Sequence, residues 1–295
     1  MKTPNQIEKA LTDGAAKLHQ LLKTDHHAYH ALVLQSKKEL QDIRKSYGFK
    51  SAGSLLSGDI SKLQKDERTT LGLALLPAIH SGLGNVCAFA DSCADTCVAF
   101  SGNGGFSTTY NVRLARTSFM IANPQGFMAL LFSEIFDAYT KAQTYEQGLA
   151  IRLNTYSDIR WEKVAPWLFD MFVAVKFYDY TKHPMSSRPE ATRPKNYHLT
   201  YSVSEKTTES EIGKAIDARR PLAVVVSVRS GKVKGSESMR PIPQFWGGIP
   251  TIDGDSSDAR YLNNQSAVVI LRRKHTMREN HPMILKAAKL SGDSK

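Results

Sequence analysis

The spacing of apolar residues along the chain changes its period near residue 70. Before that point Ile7, Leu11, Leu18, Leu21 and Leu22 recur at helical intervals and predict a helix over 7–22. A similar rhythm over 30–47 meets Gly48, a suitable C-terminal cap. Residues 49–70, rich in Ser, Gly, Lys and Asp, read as a linker or mobile loop. Beyond them, short apolar runs at 71–77, 148–155, 175–181, 197–204, 222–228, 249–253 and 267–271 predict strands. Segments with helical periodicity at 109–122, 124–141, 162–173 and 208–218 fall between them, and Asn123 before Pro124 pairs an N-cap with proline at the first helical position. Strand and helix alternate, with one helix missing among the last strands. This order predicts an α/β fold with a mostly parallel sheet, either a partial (β/α) barrel or an open sheet, carrying a helical N-terminal extension. The expected division is a helical extension over 1–70, an α/β domain over 71–274 and a basic tail over 275–295.

Composition changes this picture little. With 295 residues, 41% hydrophobic and 23% charged, the chain can bury a sizeable core, and disordered, collagenous and disulfide-stapled classes are excluded. No apolar run is long enough for a membrane span, and the start has no secretory pattern, so the expected location is the cytoplasm. Charge adds more. Thirty-nine Lys and Arg against 28 Asp and Glu give a net charge of +11, concentrated in 182–195, 229–240 and 271–295. Such a field suits a nucleic acid or a nucleotide, although a basic balance also serves solubility alone.

The candidate chemistry lies in one loop. The only cysteines are Cys87, Cys93 and Cys97, spaced C-x5-C-x3-C in a segment rich in Gly, Asn, Asp and Ser. Core cysteines scatter, whereas several soft donors on one short turning loop are what thiolate ligation of a metal needs. Two centres fit. Structural zinc wants four ligands, and His80, or His198 or His30 from further away, could complete a Cys3His site. An iron–sulfur cluster held by three cysteines leaves one iron open. Other motifs carry less. His26 and His30 have metal-gripping spacing but read as polar surface, and the glycines over 102–105 lack a phosphate-loop lysine. The acidic run over 253–258 lacks the distal Glu of a calcium loop, and no G-x-S-x-G elbow is present.

The residues following each predicted strand form a second pattern. They include Asn154, Thr155, Ser157 and Asp158, then Asp179 and Lys182, then Ser202, Ser204 and Glu205, then Asp253, Asp255 and Asp258. In parallel α/β folds, sites gather at the carboxyl ends of strands, so these residues and the cysteine loop define one candidate rim. Turn chemistry alone accounts for about half of them.

The order of these motifs resembles a phage and mobile-element family labelled "gene product eighty-eight". The cysteine loop comes first, followed by 151–158, 177–182, 199–205 and 252–260. Members look like distant relatives of radical-SAM enzymes, and the resemblance spans roughly 71–274. It implies a host-cytoplasmic protein whose Cys87, Cys93 and Cys97 hold a four-iron [4Fe-4S] cluster, with S-adenosylmethionine on its open iron. It further implies Asn154, Ser157 and Asp158 near the methionyl group, and Ser202, Ser204 and Glu205 near the ribose or carboxylate. Arg152, Asp179, Lys182, Asp253 and Asp255 are the candidates for substrate contact. Radical-SAM proteins usually space their cysteines C-x3-C-x2-C, unlike this chain. The rival readings are a zinc-stabilised nucleic-acid-binding protein and a host-interaction protein whose cysteines bind nothing.

Overall fold

Local chemistry sets the helix ends. In the computed structural model, which describes residues 1–51, 53–58, 68–234, 236, 238–263 and 267–285, the first helix, α1 (Pro4–Thr24), opens with a capping box. Thr3 accepts from the Gln6 amide while the Gln6 side chain accepts from the Thr3 amide. Asp25, in extended conformation, ends α1 and caps α2 (His26–Ser46) through the Ala28 amide at 2.9 Å. Asn123 stands between α3 (Ser107–Ala122) and α4 (Pro124–Thr144), accepting from the Gly126 amide at 2.8 Å and donating to Glu39 of α2. These four helices pack together. At Gly14 a Cβ would lie 2.8 Å from the Gln125 nitrogen, so α1 can approach the start of α4 only with glycine there.

The sheet has nine strands in the order β1-β2-β3-β4-β5-β6-β9-β8-β7. They are β1 (Leu56–Ser57), β2 (Thr69–Leu73), β3 (Leu149–Arg152), β4 (Lys176–Thr181), β5 (Tyr197–Ser202), β6 (Leu222–Arg229), β7 (Phe245–Trp246), β8 (Ile249–Asp253) and β9 (Val268–Arg273). Strands β2 to β6, β9 and β8 run parallel, and the two short edge strands β1 and β7 are antiparallel. β1 and β7 stand at opposite edges, so the sheet is open. Parallel strands buried on both faces need crossovers, supplied by α3 and α4, by α5 (Trp161–Val164) and α6 (Pro166–Met171), and by α7 (Glu209–Asp217).

One face of the sheet and the helices share a core that runs without a break from Leu11 and Leu18 through Phe127 and Leu131 to Ile151 and Phe177. The N-terminal helices therefore belong to the main core. Tyr178 of the other face meets Tyr261, with ring centroids 5.3 Å apart, in the segment that follows β8.

Three expectations need correction. The predicted helix 162–173 is broken, because Pro166 lacks an amide hydrogen and drives Ala165 to φ −146°, ψ 68°. Residues 49–70 are more than a linker where they are described. Leu55 and Leu56 are buried, and both of their amides donate to Glu134 of α4 at 2.8–3.0 Å. The first sheet run also begins and ends earlier than expected, since 74–76 are buried without being strand. Part of the linker (52 and 59–67) and the end of the basic tail (286–295) lie outside the described residues. No helix among the described residues is long and apolar enough to cross a membrane.

Phe127, fully buried beside Phe119, is a test of this shared core. Phe127→Ala should lower unfolding stability by about 3–5 kcal/mol, read as a lower urea midpoint at unchanged slope.

Candidate functional site

The cysteine loop leaves the carboxyl end of β2 and is clamped to the loop after β3. Cys87 and Asp158 form a parallel bridge, and the Asp158 amide donates to the Val86 carbonyl at 2.9 Å. The Cys87 sulfur receives the Ala78 amide and donates to the Tyr156 carbonyl, both at 3.4 Å. Beyond it, short 3₁₀ turns carry Cys93 and Cys97 (Asp91–Cys93 and Val98–Phe100). Arg113 of α3, buried and stacked over Tyr156, fixes the following glycine segment by donating to the carbonyls of Ala99 at 2.6 Å and Gly104 at 3.2 Å. A Cβ at Gly104 would fall 2.2 Å from the Ala99 oxygen. Close packing of backbone on backbone therefore explains this glycine without a ligand.

All three thiols are desolvated. Burial pushes Cys97 up to about 11 and raises Cys93 and, further still, Cys87. The charges of Cys97 and Cys93 also act on Cys87, and that of Cys93 acts on Cys97, whereas the Lys182 ammonium favours the ionised forms of Cys93 and Cys97. Against that desolvation, the N–H groups of Ala78 and Ala99, aimed at Cys87 and Cys97, and the nearby Lys182 favour the thiolates that a thiophilic centre would need. Among the described residues, however, no three His, Cys, Asp or Glu side chains form a group placed to hold a metal ion. The zinc partners expected from the sequence are unevenly placed. His80 lies against the loop, its Nε2 3.3 Å from the Ala94 carbonyl and its ring edge-on to Phe100. His198 stands near the start of β5, at the opposite end of the sheet, and His30 packs beside Tyr29 on α2.

The other predicted site residues divide into two groups. Lys182, Ser202 and Glu205 reach the rim: Lys182 Nζ donates to Ser202 Oγ at 2.8 Å, and Glu205 accepts the Ser92 amide of the cysteine loop at 3.2 Å. Burial would raise the Glu205 carboxyl, but its contacts with Ser92 and the nearby Lys182 outweigh that and hold it low. Asp158 is also there, accepting from the Lys182 amide at 2.8 Å and from Arg188 at 3.2 Å.

The remainder are engaged inside the fold. Asn154 accepts from Ser157, Ile159 and Trp161 and donates to Ile159 and Asp179, leaving its amide no free position. Ser204 shapes the turn before α7 with Thr207. Arg152 pairs with Asp258 at 2.5 Å under the Tyr180 ring, and Asp253 and Asp255 both pair with Arg272, with Lys274 also on Asp255.

Several rim residues carry no recognisable pattern in the sequence. Arg188, with a side chain 2% exposed, bridges Glu162 at 2.7 Å and Asp158 at 3.2 Å. His183 holds the Asp158 carbonyl at 3.0 Å and meets Phe89 of the cysteine loop edge-on. Lys206 pairs with Asp91 at 2.5 Å, and His281, from the returning C-terminal segment, lies 3.3 Å from Thr96. Only the excess of basic residues over 182–195 hinted at the first two.

The profile of the gene product 88 family matches residues 41–289. The chain belongs to that family. No curated protein and no solved structure matches the chain. The family profile covers the cysteine loop and every rim residue named above, and it begins within α2.

Beneath the rim, Asp179 is fully buried, accepting from the Asn154 amide at 2.7 Å and Tyr197 Oη at 2.7 Å. Burial raises its carboxyl to about 7, against the pull of those donors and of Arg152. An unfolded Asp ionises near 4, so between about pH 4 and 7 the folded state holds the extra proton. Asp179 therefore contributes a loss of stability as pH rises through that window. Urea unfolding across this range should show the difference between the native chain and Asp179→Asn shifting in favour of the variant with rising pH.

Proposed function

We propose that the cysteine loop holds an iron–sulfur cluster at the carboxyl rim of the sheet, and that the protein is a radical-SAM-like enzyme acting on a phosphate-bearing substrate. The observation that carries this reading is the convergence of three desolvated thiols with Lys182, Ser202 and Glu205 on one rim. Cys87, Cys93 and Cys97 would be the ligands. When bound, such a cluster would supply an electron for reduction of a sulfonium cofactor.

The chain's own residues have distinct tasks. Ligation requires the sulfurs to ionise, and Lys182 and Arg113, which already favour ionised Cys97, would balance that charge. Glu205, kept ionised by its Ser92 hydrogen bonds and the nearby charge of Lys182, is suited to receive an ammonium group. The loop anchors at Asp158 and Arg113 limit how far the sulfurs can wander from one another. A net charge of +11 supports the phosphate-bearing substrate class.

A second reading, a zinc site completed by His80 in a nucleic-acid-binding protein, is favoured by the seat of that imidazole against the loop. Anaerobic reconstitution with iron and sulfide distinguishes the two. The proposal expects a brown protein with about three to four irons per chain, lost in Cys93→Ala. A colourless chain that retains no iron would overturn it, and about one zinc per chain would favour the second reading. Because the cysteine spacing differs from the usual radical-SAM pattern, cleavage is assayed separately. Reduced, cluster-loaded protein should release 5′-deoxyadenosine from S-adenosylmethionine, and a loaded protein that never does so would overturn the enzymatic part alone.

A further inference from the structure

At the other end of the sheet, where β5 and β6 begin, the chain builds a pocket of about 30 Å³ that opens to solvent. Glu190, Arg193, His198, Arg219, Arg220 and Arg260 line it. Four arginines thus share the lining with one carboxylate, and Glu190 already serves two of them, Arg193 at 3.1 Å and Arg220 at 3.9 Å. Lys176 and Arg193 add positive potential around His198.

Arg260 is the unusual member. It is 3% exposed and makes no salt bridge among the described residues. Its Nη2 reaches only the Gly254 carbonyl at 3.4 Å, and its Nε and Nη1 have no hydrogen-bond partner. His198 Nε2 in the same pocket is also buried without a partner. A buried guanidinium with open donors is costly unless something negative or polar answers it. The nearby carboxylates are engaged elsewhere: Asp258 pairs with Arg152, Asp255 with Arg272 and Lys274, and Glu190 with Arg193 and Arg220.

We propose that this pocket binds a single phosphoryl group, with Arg260 as the buried donor and Arg193, Arg219 and Arg220 supplying charge at its mouth. The pocket is small and open to solvent, so a phosphoryl group would occupy it and the remainder of a phosphomonoester would project outward. Planar guanidinium groups offer paired N–H donors to phosphate oxygens, which a lysine cluster would not. The mouth of the pocket, with His198 at the start of β5 and Arg219 and Arg220 just before β6, lies at the opposite end of the strands from the cysteine rim.

Titration calorimetry and thermal unfolding with sodium phosphate, against sodium chloride at equal ionic strength, test the proposal. Phosphate should bind saturably and raise the melting temperature with concentration. Arg260→Gln should weaken binding about tenfold or more. Because Arg260 is buried, the double variant Arg219→Ala, Arg220→Ala provides a second test that leaves the interior intact, and it should weaken binding several-fold. Adenosine 5′-monophosphate binding more tightly than phosphate, and displaced by it, would assign the source to a phosphomonoester; equal affinity would assign it to phosphate itself. Absence of saturable phosphate binding by the native chain, or full affinity in the Arg219→Ala, Arg220→Ala variant, would overturn the proposal.

Discussion

Asp158 ties its own loop to two other segments, the cysteine loop and the connection between β4 and β5. Its backbone pairs with Cys87 and Val86 of the cysteine loop, and its carboxylate takes the Lys182 amide and the Arg188 guanidinium. Its carbonyl takes His183. The residue is only 9% exposed, where an unanswered charge would be expensive, so all of these contacts are needed together. Arg188 is shared with Glu162 and Tyr197, and Tyr197 passes the connection to Asp179 and Asn154. The cysteines sit where they do because this chain of buried polar contacts holds the ends of β3 and β4 against their loop.

The same network explains why few predicted site residues are free to meet a ligand. A parallel sheet ends in backbone groups that must find partners, and Asp179 and Asn154 supply them from within, with Ser157 donating to the Asn154 side chain. What remains facing outward is a narrow set: Lys182, Ser202 and Glu205 beside the thiols. At the opposite end of the sheet, the turn preceding β6 and the segment after β8 bring arginines together with less compensation. The two ends therefore differ in chemistry, one soft and desolvated, the other hard and cationic.

The N-terminal helices are integral to this arrangement. Glu8 of α1 receives Arg160, just after the Asp158 loop, through both its backbone amide and its guanidinium, and burial of that carboxyl is outweighed by the pair. Ile7, Leu11 and Leu18 enter the same core as the sheet. The family profile nevertheless begins only at residue 41, so part of this core is built from a segment outside it.

Much of the fold was legible because period and punctuation are local properties. The Asn123–Pro124 helix start and the parallel strand series follow from apolar spacing alone, as did the gathering of three cysteines in one loop. Pro166 shows the limit even locally, since the apolar rhythm runs through a residue that cannot continue the helix. Glu134 shows another, because the anchoring of Leu55 and Leu56 depends on a carboxylate 78–79 positions away. Residue type alone could nominate Arg152, Asp253 and Asp255 for a substrate, but only the folded chain could place Asp258, Arg272 and Lys274 beside them. Sequence by itself determined the class of fold, the family and the gathering of three cysteines in one loop, since these rest on order and spacing. Tertiary structure alone decided which charges are spent on one another and which stay available, because partnership between charges depends on distance in space and on shared burial.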